Sequence, residues 1–80
     1  YPNPFNPTVR INLNIPYDRR MTIQIYNSVG QEVNAISINK YFTTGTHSIY
    51  WNGSKYPSGV YYIKFSDGFE TKIRKILHLK

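Results

Sequence analysis

Between Val9 and Ile15, apolar and polar residues alternate one for one, with Val9, Ile11, Leu13 and Ile15 on one parity and Arg10, Asn12 and Asn14 on the other. Successive side chains of a strand point to opposite faces, so this period belongs to an extended chain with one face buried. The pattern recurs along the sequence. Met21, Ile23 and Ile25 alternate with Thr22, Gln24 and Tyr26, and Ile49 and Trp51 alternate with Ser48 and Tyr50. Tyr61, Ile63 and Phe65 form the expected inward face of residues 60–65, and residues 31–38 make a weaker strand with Val33, Ile36 and Ile38 as candidate core. Turn-forming residues punctuate these runs at 16–20, 27–30, 45, 52–53, 56–59 and 66–68. The pattern leaves open whether the first two strands form a hairpin or lie in different sheets. With no helical periodicity anywhere, the expected fold is all-β: a small antiparallel β-sandwich of six or seven short strands.

Residues 69–79 are expected to complete a terminal hairpin across Asp67-Gly68. Phe69, Thr71, Ile73, Lys75, Leu77 and Leu79 share one parity there, and Glu70, Lys72, Arg74, Ile76 and His78 share the other. Lys75 interrupts the apolar face. Adjacent Ile76 and Leu77 both favour burial, so a β-bulge or twist near Lys75 is expected in preference to a rim position with its ammonium in water.

A chain of 80 residues forms one compact domain and buries only roughly 60% of the surface its unfolded form exposes. With no cysteine, neither disulfides nor thiolate–metal bonds supplement the core. Eight Tyr, four Phe and Trp51 must help to fill it. The net charge of +6 permits several acidic partners and selects none, but its distribution is uneven: Lys72, Arg74, Lys75 and Lys80 all fall in segment 72–80. No run of about 18 apolar residues occurs, and the Pro/Asn-rich opening lacks the charged and apolar regions of a signal peptide. No stable membrane insertion is therefore expected. An exported protein would carry its signal upstream, and a start at Tyr1 rather than Met fits a fragment of a longer chain.

Catalytic chemistry has little to draw on. The four acids are Asp18, Glu32, Asp67 and Glu70, and Asp18 and Asp67 fall in predicted turns, where aspartate bonds its own backbone. His47 and His78 lack metal-ligand spacing and read as ordinary strand residues. The glycines are dispersed one per turn, without phosphate-loop spacing, and the serines show no nucleophile-elbow pattern. No catalytic, cofactor-binding or metal-binding residues are assigned, and nucleic-acid binding is not expected without a motif behind the charge. Exposed Tyr50, Tyr56 or Tyr62 could serve as stacking platforms for carbohydrate.

More specific than any of these patterns is the opening Tyr1-Pro2-Asn3-Pro4-Phe5-Asn6-Pro7-Thr8. It is followed by Ile25-Tyr26-Asn27, Val29-Gly30-Gln31-Glu32-Val33, Gly45-Thr46-His47, Trp51-Asn52-Gly53, Pro57-Ser58-Gly59-Val60-Tyr61-Tyr62 and Lys75-Ile76-Leu77-His78-Leu79-Lys80. This order of motifs resembles the type A C-terminal sorting domains of the type IX secretion system, which are also similar to the immunoglobulin-like domain of the flagellar hook-capping protein. One departure is Asn52, where many relatives carry Asp, and the same turn geometry tolerates both.

The resemblance implies an immunoglobulin-like sandwich over residues 9–80, preceded by a Pro-rich linker over residues 1–8. It also implies a covalently linked N-terminal passenger, passage through periplasm and outer membrane to the cell surface or medium, an outer-membrane translocon that reads the domain, and a sortase-like peptidase that removes it in many cargoes. Candidate recognition residues are Gly59, Tyr61, Lys72, Arg74, Lys75, Ile76, Leu77 and Lys80, with the last hairpin, residues 59–80, as the candidate signal. Pro2, Asn3, Pro4, Phe5, Trp51, Gly53 and Pro57 are motif positions with structural roles, Phe5 as a cap on one end of the core. Strand addition to an exposed edge offers a physical mode of recognition, and a solvated edge that prevents aggregation is the plain alternative. A sandwich module retained on the mature protein, packing on its passenger or self-associating, is the second reading, and a carbohydrate-binding appendage the third.

Overall fold

The computed structural model describes residues 7–80. Six strands make up the described chain: β1 (Thr8–Ile15), β2 (Arg19–Asn27), β3 (Glu32–Phe42), β4 (Gly45–Asn52), β5 (Gly59–Ser66) and β6 (Thr71–His78). They form a two-stranded antiparallel sheet, β1-β4, and a four-stranded antiparallel sheet, β3-β2-β5-β6. The first two strands therefore lie in different sheets. The Cα envelope is only 16 Å across its shortest axis, the thickness of two packed sheets.

The alternation in the sequence becomes the core. Ile11, Leu13, Ile15 and Ile49 with Trp51 face inward from the small sheet, and Met21, Ile23, Ile25, Tyr61, Ile63 and Phe65 face them from the large one. Strand β3 departs from the expectation of residues 31–38. It runs on to Phe42, which is buried, and its pairing with β2 shifts register at several points. Those irregularities reset the parity, so Ser37 is buried and Ile38 is exposed. Asn39 sits at positive φ in this region, with its N–H donating to Thr22 Oγ1 at 3.0 Å and its carbonyl accepting from Arg20 at 2.9 Å.

At one end of the sandwich four rings meet. The Trp51 indole lies 5.8 Å from the Tyr56 ring, 5.0 Å from that of Tyr61 and 5.1 Å from the His78 imidazole. His78 is fully buried. Its Nε2 lies 2.8 Å from the Gly53 carbonyl oxygen and 3.3 Å from that of Tyr56. Both partners are acceptors, which assigns the proton to Nε2. The Tyr56 hydroxyl donates to the Val33 carbonyl at 2.7 Å and the Tyr61 hydroxyl to that of Pro57 at 2.6 Å, so each ring is fixed at both ends.

Gly53 makes this arrangement possible. A Cβ there would fall 2.6 Å from His78 Cε1 and 2.7 Å from Nε2, closer than atoms pack. The imidazole is fully buried and packed against Trp51 and Tyr61, so in a close-packed interior it gives way only at a cost. Gly53→Ala is expected to destabilise the domain by about 1–3 kcal/mol through overpacking. In a His78→Ala background the same change should cost less than about 0.5 kcal/mol, a coupling that urea unfolding of the double-mutant cycle measures directly. Additive costs would place the strain elsewhere.

Candidate functional site

Strand β6 forms one edge of the four-stranded sheet, with β5 as its single neighbour among the described residues. Its pairing with β5 is unbroken, from Gly59 opposite His78 to Ser66 opposite Thr71. The bulge expected near Lys75 is absent. Cross-strand partners share a face, so Ile76 opposite Tyr61, Arg74 opposite Ile63 and Lys72 opposite Phe65 lie on the side of the sheet that faces the core. Lys75 opposite Tyr62, Leu77 opposite Val60 and Ile73 opposite Lys64 lie on the outer side.

The expected distribution of burial is thereby reversed along most of the strand. Leu77 is 62% and Ile73 65% exposed, while the core-facing parity carries two cations. Only Ile76, half-buried against the core, and His78 anchor β6 inward. The reason is coverage: two strands cannot roof four. Near the start of β6 the inner face of the large sheet opens into a cleft of about 280 Å³, where Lys72 and Arg74 line the mouth beside Leu13, Ile15 and Met21. The Arg74 guanidinium carbon lies 5.8 Å from the centre of the Phe65 ring.

The outer face carries a shallow groove of about 460 Å³ beside the directly opposed pair Tyr26 and Tyr62, with Ile73 and Lys64 completing its walls. The Lys64 ammonium sits 5.1 Å from the Tyr26 ring centre. Together with Leu77 and exposed Leu79, this makes an apolar surface edged by lysine. Ile73 and Leu77 share the outer face of β6 with Lys75 between them.

The remaining candidate residues serve the scaffold. Gly59 opens β5, Tyr61 and Trp51 are buried, and Gly53 lies under His78. Exposed Pro57 presents the carbonyl that holds the Tyr61 hydroxyl. Lys80 is exposed, with its backbone N–H donating to Ser58 Oγ at 3.0 Å. Pro2, Asn3, Pro4 and Phe5 lie outside the described residues. Tyr56 offers no platform for a sugar, because its ring is stacked on Trp51. Among the described residues, no three His, Asp or Glu side chains cluster as metal ligands.

The chain matches the secretion system C-terminal sorting domain over residues 1–78. It belongs to that family. No curated protein and no solved structure gives a significant match. A sorting domain of this kind marks a larger cargo protein for handling by the type IX secretion machinery and export to the cell surface or medium.

Two carboxylates tie the sorting domain's loops. Asp67 Oδ1 accepts the backbone N–H groups of Glu70 at 2.8 Å and Phe69 at 2.9 Å, closing the β5–β6 loop around Gly68 at φ +92°, and Oδ2 pairs with Arg19 at 3.2 Å. Those backbone donors, Glu70 first, hold the Asp67 carboxyl below the usual aspartate range, and the Arg19 charge adds to the effect. Asp18 is lowered in the same direction, first by the Thr44 backbone N–H at 2.7 Å, then by the Thr44 hydroxyl at 2.8 Å and the Tyr41 hydroxyl at 3.1 Å. A carboxyl whose folded value is depressed contributes its stability above the unfolded value, about 4, and loses it as pH falls through the folded one. The thermal midpoint should therefore fall below about pH 4. The fall should be shallower in Asp67→Asn, and identical acid slopes for the two proteins would contradict the assignment.

Proposed function

We propose that this sorting domain is a non-catalytic export label whose recognition surface is the outer face of the terminal hairpin, read by the outer-membrane translocon while a covalently linked passenger precedes it. The observation that carries this reading is the exposure of Ile73 and Leu77 on the edge strand of the last hairpin, with Lys75 and Lys80 on the same segment. Burying those two side chains against a partner supplies the apolar contact, and the lysines orient an acidic counterpart. The far edge of β6, unpaired among the described residues, adds backbone donors and acceptors for a partner strand.

The candidate residues then divide by role. Lys75, Leu77 and Lys80 face the partner. Gly59, Tyr61, Ile76, Trp51, Gly53 and Pro57 act through the scaffold by seating β6, so their substitution abolishes sorting by unfolding the label. After export the label is removed by a sortase-like peptidase or stays on the cargo, and the mass of the mature cargo distinguishes the two.

A periplasmic reporter fused ahead of residues 1–80 should reach the surface or medium of a host with this secretion system. Ile73→Asp with Leu77→Asp should lower export at least about tenfold while the thermal midpoint stays within a few degrees, because exposed positions tolerate charge. Ile38→Asp, at a position 75% exposed on the opposite edge of the same sheet, is the control and should export normally. Export of the parent fusion no better than an untagged reporter would refute the function. Equal loss in the control would refute the surface.

A further inference from the structure

The cleft between the two sheets carries its cations on the core-facing side of β6 and meets the outer face at Ile73. Arg19, Lys72 and Arg74 line it over a floor that includes Leu13, Met21 and Phe65. No acidic residue is among its lining groups. An adjoining hollow that shares Arg19, Met21, Phe65 and Lys72 with the cleft carries Asp67 and Glu70, and Asp67 engages Arg19 through one terminal nitrogen at 3.2 Å.

Arg19 is held in advance of any ligand. Its guanidinium lies 4.8 Å from the centre of the Tyr17 ring, one terminal nitrogen is tied to Asp67, and the side chain is 17% exposed. Its Nε is buried and has no hydrogen-bond acceptor among the described residues. A buried, charge-bearing N–H without an acceptor is costly and calls for one. Arg74 is likewise positioned over Phe65, which leaves the edges of its fork free for an oxygen pair. Two cations on the core-facing parity of β6 also cost the sandwich apolar burial that Ile73, on the opposite parity, would have provided.

We propose that this cleft is a binding site for a small amphiphilic anion, with a phosphate or carboxylate head held by Lys72, Arg74 and Arg19 and a short hydrocarbon body lying over Phe65 and Met21. The arrangement suits such a molecule in both parts. Guanidinium groups recognise tetrahedral and planar oxyanions through paired N–H groups. The floor offers apolar contact from Leu13, Met21 and Phe65, with Asn14 and the three cations as the polar groups of the lining. The cleft volume of about 280 Å³ admits a head and a few methylenes, well short of a long acyl chain. Lys72 and Arg74 lie on the opposite side of β6 from Leu77, and Ile73, which lines both the cleft and the outer groove, is where the two surfaces meet.

Titration of the 80-residue domain with hexyl phosphate, followed by nuclear magnetic resonance, tests the site. Saturable shifts should concentrate at Lys72, Arg74, Phe65 and the Met21 methyl group. Hexyl phosphate should bind about tenfold more tightly than inorganic phosphate, the difference reporting the apolar floor. Arg74→Gln and Lys72→Gln should each weaken it about tenfold, whereas Lys55→Gln should leave it unchanged. Sedimentation with vesicles of phosphatidylcholine and phosphatidate identifies the source. Pelleting that falls with Arg74→Gln supports a lipid head group, and its absence alongside hexyl phosphate binding supports a free anion. Shifts spread evenly over Lys40, Lys55 and Lys64, or an affinity indifferent to Arg74→Gln and Lys72→Gln, would overturn the proposal.

Discussion

The imidazole of His78, lying against Gly53 and packed on Trp51 and Tyr61, is the contact on which the display of the last strand depends. Among the described residues strand β6 has one neighbouring strand, and Ile76 and His78 are its inward anchors. Backbone pairing with β5 alone would leave an edge strand that frays, because a hairpin without a packed face is marginal in water. His78 supplies that packing at the far end from the loop, and Asp67 closes the loop at the near end. Between these two fixed points the strand presents its side chains in one register.

A rigid frame matters because β6 is exposed on both of its faces. Its outer parity shows Ile73, Lys75 and Leu77, and its inner parity shows Lys72 and Arg74 beyond the reach of the small sheet. A one-residue slip would exchange these sets, turning the apolar side chains into the cleft and the cations outward. The cluster around His78 prevents that exchange, since the slip would pull a ring out of a site shaped for it. The sorting domain thus spends its limited core on fixing a register rather than on enclosing a cavity. That is consistent with a label that must be read by shape, and it sets the terminal hairpin apart from the body of the sandwich that holds it.

The alternation in β1, β2, β4 and β5 was legible in the sequence because each is covered by the opposite sheet, and burial then selects one parity. Strand β6 was misread for the complementary reason. Ile76 and Leu77 both suit a core, but this edge strand has room for one of them, and Leu77 is left exposed on the outer face. The end of β3 was missed because register shifts along its pairing with β2 erase the period that would have placed Phe42 inside. His78 carried no local signal, being an isolated histidine in a basic segment, although the small residue at position 53, two places after Trp51, was the trace it left elsewhere in the chain. The family assignment was legible through the order of short motifs, several of which prove to be the parts of this one cluster: Trp51, Gly53, Tyr61 and His78.

The claim that the outer face of β6 is what the export machinery contacts is tested most directly by site-specific photo-crosslinking in a secreting host. Benzoylphenylalanine placed at position 77 or 73 of an exported fusion should crosslink to an outer-membrane component of the translocon. Placed at position 50, exposed on the other sheet, it should not. Crosslinks from position 50 with none from 73 or 77 would contradict the account.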